Sequence, residues 1–248
     1  LDDGFVTIDE IKDLKGKLPK GTYALTYGNL PWAFMSLLYG AGGTLENDMD
    51  DLTKDVWRKP MEKLKEAYDA GVVAPMDVDG EQAFGSGKAV FAQLGTWAQG
   101  NMSNTLGADK IAEANTLQYG ADNPVNFFYQ CNWMQLKDPH RSAAKSAAAA
   151  DFVKYVYEHW MDWSEVGSIS PAYRDLNNPK YQKLIQASFT NSKKERDYIK
   201  TSNYLYGGYA TAGWGTYNDI VYGNVGLEEG LKTLDLMAQG QIEIQEES

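Results

Sequence analysis

Short β-prone runs alternate with amphipathic helical stretches along this chain, and that alternation constrains the fold more than any other feature. "GTYALTYG" is a strand-like run rich in Tyr and Thr, and "PWAFMSLLYGAGG" follows it with Pro31 in a helix's first turn and glycines past its end. "VWRKPMEKLKEAYDAGVV" reads as an amphipathic helix with Leu64 and Tyr68 on one stripe, closed by Gly71. "AVFAQL" and "NFFYQCNWMQL" are further strand-like runs. "SAAKSAAAADFVKYVYEHW" is the clearest helix, with Phe152, Val156 and Trp160 spaced four apart on the face expected to be buried. Helices are also expected over "PKYQKLIQAS", from near "GWGTYNDIVYG", and over "GLEEGLKTLDLMAQG". At the start, Thr7 and Glu10 have the spacing of a capping box. Strands interleaved with helices predict an α/β fold.

"FGSGKAVFAQLGTW" invites comparison with a phosphate-binding loop, and fails it. Such a loop needs a glycine where Gln82 stands and a Ser or Thr where Ala89 stands, because backbone N–H groups wrap the phosphate and the hydroxyl holds magnesium. The strand also follows the glycines instead of preceding them. The stretch therefore predicts helix, glycine turn and strand, then Trp97 on a loop at the strand's carboxyl end. In open α/β sheets that end is where ligands bind.

Of 248 residues, 43% are hydrophobic and 23% charged, as in ordinary globular proteins. The length suits one large domain or two modest ones. No apolar run is long enough to span a membrane. A net charge of −11 disfavours nucleic acid, whose phosphates call for a basic surface. It leaves room for a cationic ligand. Cys131 is the single cysteine, in an apolar setting, so there is no internal disulfide and no thiolate cluster. With two histidines, His140 and His159, a catalytic dyad or His-based metal site has little to draw on. "ENDMDD" and "DVDG" lack the ligand spacing and distal Glu of a helix-loop-helix calcium site and read as solvated turns. The composition is instead rich in aromatics, with 7 Trp and 16 Tyr. Each offers an apolar face with a polar edge.

The order of these pieces resembles the sugar-binding branch of the ABC-transporter solute-binding proteins, the group that includes maltose-binding protein. The resemblance is carried by "FGSGKAVFAQLGTW", by "AAADFVKYVYEH" followed by "GSISP", by "GLEEGLKTLDLMAQG", and by "TIDEI", which is similar to a helix start early in the family's second lobe. It implies a periplasmic-binding-protein-like type II fold, mostly the second lobe plus part of the first. Residues 1–132 and 172–248 match the second lobe, and residues 133–171 match a visit to the first. Family members carry a further long segment ahead of the "TIDEI" helix, which here is absent from the sequence. Were it absent from the protein too, Phe152, Val156 and Trp160 would form an exposed stripe.

The resemblance implies no catalysis, no cofactor and no metal. It implies a carbohydrate ligand, an ABC permease as partner, and a place outside the cytoplasm, in the periplasm or as a cell-surface lipoprotein. Trp97 falls where the family sets an aromatic under the sugar, and Trp32 and Trp214 fall at other aromatic positions of the family. Asn29 and Asn218 are candidate hydroxyl partners beside them, with helix capping as the competing role. Gln130 and Asn132 fall on the cleft lining. Tyr173, Tyr204, Tyr206 and Tyr209 either extend the aromatic platform or pack the lobe; Trp160 and Trp163 are expected in the core. Two other functions stay open: a polyamine or other cation receptor of the same fold, and a glycoside hydrolase using two carboxylates.

Overall fold

The computed structural model describes residues 4–28, 30–127, 135–167, 175–189, 199–200, 210 and 212–246. The chain divides into two compact units. The first comprises residues 1–95, 114–128 and 197–248, and the second residues 96–113 and 129–196. The segment 133–171 lies within the second.

In the first unit, helix α1 (Ile8–Lys12) opens with the expected capping box. The Glu10 N–H donates to Thr7 Oγ1 at 3.2 Å, and the Thr7 N–H donates to the Glu10 carboxylate at 2.8 Å. Strands β1 (Tyr23–Tyr27) and β2 (Ala89–Gln93) pair in parallel, in register from Tyr23 opposite Ala89 to Tyr27 opposite Gln93. On the other side of β1 lies the segment at Val72–Ala74. There the Ala24 N–H donates to Val72 O, and the Ala74 N–H to Leu25 O. Flanked on both sides, β1 buries Ala24, Leu25 and Thr26 in succession, the continuous pattern of an inner strand.

Helix α4 (Gly80–Gly85) enters through Asp79, whose carboxylate accepts from the Gln82 N–H at 2.7 Å. Gly80 permits a close approach to β1, since a Cβ there would lie 3.1 Å from Tyr27 O. Past the helix, Gly87 takes φ +73°, a region that side chains disfavour, and turns the chain into β2. Helix, glycine turn and strand follow in the expected order. A second parallel pair joins β3 (Asn126–Phe127) and β4 (Ile199–Lys200). The longer strand expected over "NFFYQCNWMQL" continues into 128–134, outside the described residues.

Helices α2 (Leu30–Gly40), α3 (Asp55–Asp69), α8 (Trp214–Val221) and α9 (Leu227–Glu246) build most of the first unit's core. Phe34 stacks on Trp57 at 5.5 Å between ring centroids and meets Tyr217 edge-on at 5.3 Å, all three fully buried. Their polar edges are satisfied: Trp57 Nε1–H donates to Asp48 O at 2.7 Å, and the Tyr217 hydroxyl donates to Ala210 O at 2.6 Å.

The second unit holds α5 (Gln99–Leu106), α6 (Ala143–Glu158), α7 (Trp160–Gly167) and short 3-10 turns at Thr96–Ala98, Tyr181–Lys183 and Ile185–Phe189. Four expectations are corrected here. On α6 only Val156 is buried, while Phe152 is exposed. Trp160 is not on that helix. His159 ends α6 by folding back, its ring 4.0 Å from the Tyr155 ring and Nδ1 2.9 Å from Tyr155 O, and Trp160 starts α7 half-buried. Trp163, expected in the core, is 46% exposed and stacks on Trp160. The helix expected over "PKYQKLIQAS" is split by Leu184, whose backbone is extended at φ −81° and ψ 147°. At 100° per residue an unbroken helix would turn Tyr181 and Gln186 to nearly opposite sides. The break lets both be buried.

Candidate functional site

Two of the predicted tryptophans meet. Trp32 lies in the first turn of α2 behind Pro31, whose missing N–H costs nothing there. Trp214 is the first residue of α8. The backbone before it is pressed onto α9, because a Cβ on Gly213 would come within 2.5 Å of Leu234 Cδ2. Two helix starts are thereby fixed so that the indoles pack edge to face, with centroids 5.5 Å apart and planes at 71°. Both rings are half-buried, in contrast to Phe34 and Tyr217 further along the same two helices. The core pair sets the spacing of α2 and α8, and the rim pair inherits it.

Asn218 is one helical turn beyond Trp214 on α8 and half-buried. Its place is therefore on the tryptophan's side of the helix, not at the helix cap. Asn29, Gln130 and Asn132 lie outside the described residues, as do Cys131, Tyr173, Tyr204, Tyr206 and Tyr209. At the carboxyl end of β1, the Tyr27 hydroxyl is buried with no partner among the described residues. Burial raises its pKa well beyond the phenol range, with the Tyr222 phenol contributing. Burial likewise pushes Tyr222 up to about 12.

Trp97 belongs to the second unit, in the 3-10 turn after β2, and is 60% exposed. Next to it Ala98 is buried and α5 begins at Gln99. The Gln99 amide donates to Gln186 Oε1 at 2.9 Å, and Gln186 Nε2 donates to Ser164 O at 2.8 Å. Nothing in the sequence pointed to these two glutamines, which are 87 residues apart and belong to no motif. At the end of the same stretch, burial pushes Glu113 up to about 7.

Among the described residues no group of three or more His, Cys, Asp or Glu could hold a metal ion. Nor is any helix there long and apolar enough to cross a membrane. A groove of about 580 Å³ ahead of α6 is lined by Lys137, Asp138 and Arg141 among others, and includes none of the predicted site residues. What the described residues bring together is two half-buried indoles at helix starts, with Asn218 one turn along α8 from Trp214.

Comparisons with known proteins bear on the fold and the family. Residues 3–188 match the family model described as bacterial extracellular solute-binding protein. No curated protein matches the chain. Among solved structures, a sugar transporter of Arthrobacter chlorophenolicus A6 with bound laminaribiose is similar at TM-score 0.73 and 16% identity, over 94% of this chain and 63% of that one. UgpB of Mycobacterium tuberculosis in complex with glycerophosphocholine is similar at TM-score 0.71 and 14% identity, over 99% of this chain and 65% of that one. The maltose/maltodextrin-binding domain MalE of Bdellovibrio bacteriovorus bound to maltotriose gives TM-score 0.67 and 14% identity, over 96% and 67%. The chain thus spans about two thirds of the length of these structures and shares their fold, an α/β periplasmic-binding-protein-like architecture. On the family model, which covers most of its length, the chain belongs to the bacterial extracellular solute-binding proteins.

Proposed function

We propose that this chain is part of the receptor of an ABC importer, which captures a carbohydrate on its tryptophans outside the cytoplasm and hands it to the membrane permease. The observation that carries the reading is the Trp32–Trp214 pair, held half-exposed at two helix starts in a protein of this family. A sugar ring has an apolar C–H face that packs on an indole and hydroxyls at its rim that seek amides. Asn218 beside Trp214 suits that rim. Relatives of the same fold bind laminaribiose and maltotriose, which supports an oligosaccharide. Trp97 of the second unit is proposed as a further aromatic contact, and Asn29, Gln130 and Asn132 as further polar ones. We read residues 1–132 and 172–248 as second-lobe material and 133–171 as first-lobe material. The receptor catalyses nothing and needs no cofactor.

Isothermal titration of the full-length protein with maltotriose, laminaribiose, glycerophosphocholine and putrescine tests the proposal. Saturable binding of a glucan, lost in Trp32→Ala, supports it. Binding of putrescine or glycerophosphocholine alone favours the cation reading, which the net charge of −11 supports, and overturns the carbohydrate one.

A further inference from the structure

Trp97 poses a problem that its own side chain does not solve. A ring that is 60% exposed has few packing contacts to hold it, yet an aromatic anchor works only if its face is presented before the ligand arrives. Its direction must come from the backbone it stands on. That backbone is one 3-10 turn running straight into α5, so whatever fixes the start of α5 fixes Trp97.

Two groups meet that start. Met102 buries its side chain one turn into α5, which sets the helix's rotation. Gln99, its first residue, donates to Gln186 Oε1, and Gln186 is 1% exposed. Gln186 is itself held through both its side chain and its backbone. Its Nε2 donates to Ser164 O on α7, and its backbone carbonyl accepts from the Tyr181 hydroxyl at 3.3 Å. Ser164 is 1% exposed and donates to Trp160 O at 3.2 Å. Buried amide bonds are directional: Gln186 Nε2 faces the acceptor Ser164 O, which leaves its Oε1 to accept from Gln99, whose own Oε1 is buried with no partner among the described residues. The break at Leu184, which departs from helical geometry, is what delivers Gln186 inward.

We propose that Gln186 is a positioning residue for the ligand site, acting through Gln99 to hold the turn that presents Trp97. The inference rests on the reading of Trp97 as a ligand contact, and the experiment separates the two. Full-length protein is labelled with 5-fluorotryptophan, and the Trp97 resonance is assigned with Trp97→Phe. In Gln186→Met the Trp97 signal is expected to shift and broaden while the signals of Trp32, Trp57 and Trp214 stay in place. If Gln186→Met does not fold, Gln99→Met removes the same bond from its half-buried end and is expected to give the same change. Maltotriose affinity is expected to fall about fivefold to tenfold, the scale of a weakened aromatic anchor. That loss should vanish in a Trp97→Ala background, because two residues acting through one contact are not additive. An unmoved Trp97 signal overturns the proposal, as does a displacement of all the tryptophans together, which would make Gln186 a support of the whole fold. A moved signal with unchanged affinity supports the positioning of Trp97 by Gln186 and overturns the ligand role of Trp97.

Discussion

Phe34 and Tyr217 meet edge to face in the core, and the same two helices carry Trp32 and Trp214 to the rim, where they meet edge to face again. The buried contact and the exposed one are two rungs of one ladder. Phe34→Ala is therefore expected to cost about 3–5 kcal/mol of stability, as large-to-small changes of buried aromatics do. Tyr217→Phe keeps the ring but leaves Ala210 O without its donor, for about 1–2 kcal/mol. Urea denaturation gives both values. In the Tyr217→Phe protein, which stays folded, the Trp32–Trp214 geometry should persist in the near-UV circular dichroism spectrum.

Trp97→Ala should separate binding from folding. With most of its surface in solvent, truncation is expected to change stability by no more than about 0.5 kcal/mol. Affinity for a bound glucan is expected to fall by about 1–3 kcal/mol. Calorimetry alongside thermal melts reads the two quantities. A large drop in melting temperature would place the ring in the core.

At the start of α1, Thr7→Ala removes the capping acceptor and leaves the Glu10 N–H unpaired. The expected loss is about 0.5–2 kcal/mol, the usual scale for an N-cap. Thr7→Ser keeps the oxygen and should recover most of it. Hydrogen exchange at the Glu10 amide checks that the effect is local.

Glu113 gives the stability a pH dependence of defined sign. Burial raises its folded pKa to about 7 from 4.5, so between those values the folded state binds more protons than the unfolded one. Its contribution is fully present below about pH 4.5, declines as pH rises to about 7, and is flat beyond. The difference in denaturation free energy between wild type and Glu113→Gln should follow that curve, with the variant gaining relative stability towards pH 8. A difference independent of pH would show the carboxyl to be solvated.

What was legible in the sequence was local. The Thr7–Glu10 spacing, Pro31 in a first turn and Gly87 between helix and strand each act through the backbone within a few residues, and each produced the expected element. The tryptophans at helix starts were legible for the same reason. The Trp32–Trp214 contact was not, because it depends on Phe34 and Tyr217 bringing two distant helices together. Periodicity placed α6 correctly but misjudged its environment, since an i, i+4 apolar stripe says which face is greasy and not what covers it. The break at Leu184 escaped because its cause, burial of both Tyr181 and Gln186, is tertiary. The Gln99–Gln186 bond leaves no local trace at all.

The division of the chain also sets an order of events in its synthesis. The first unit begins with the earlier helices but is closed by the later ones, as when the Leu52 N–H finds the Asp235 carboxylate 183 residues on. Phe34 and Trp57 must wait through translation of the entire second unit before Tyr217 reaches them. Until then the apolar sides of α2 and α3 have no lid from α8 and α9, and such intermediates are prone to stick to one another. During synthesis, the segments that close the first unit's core follow those that open it by more than a hundred residues, and in that interval its apolar faces are most exposed to association.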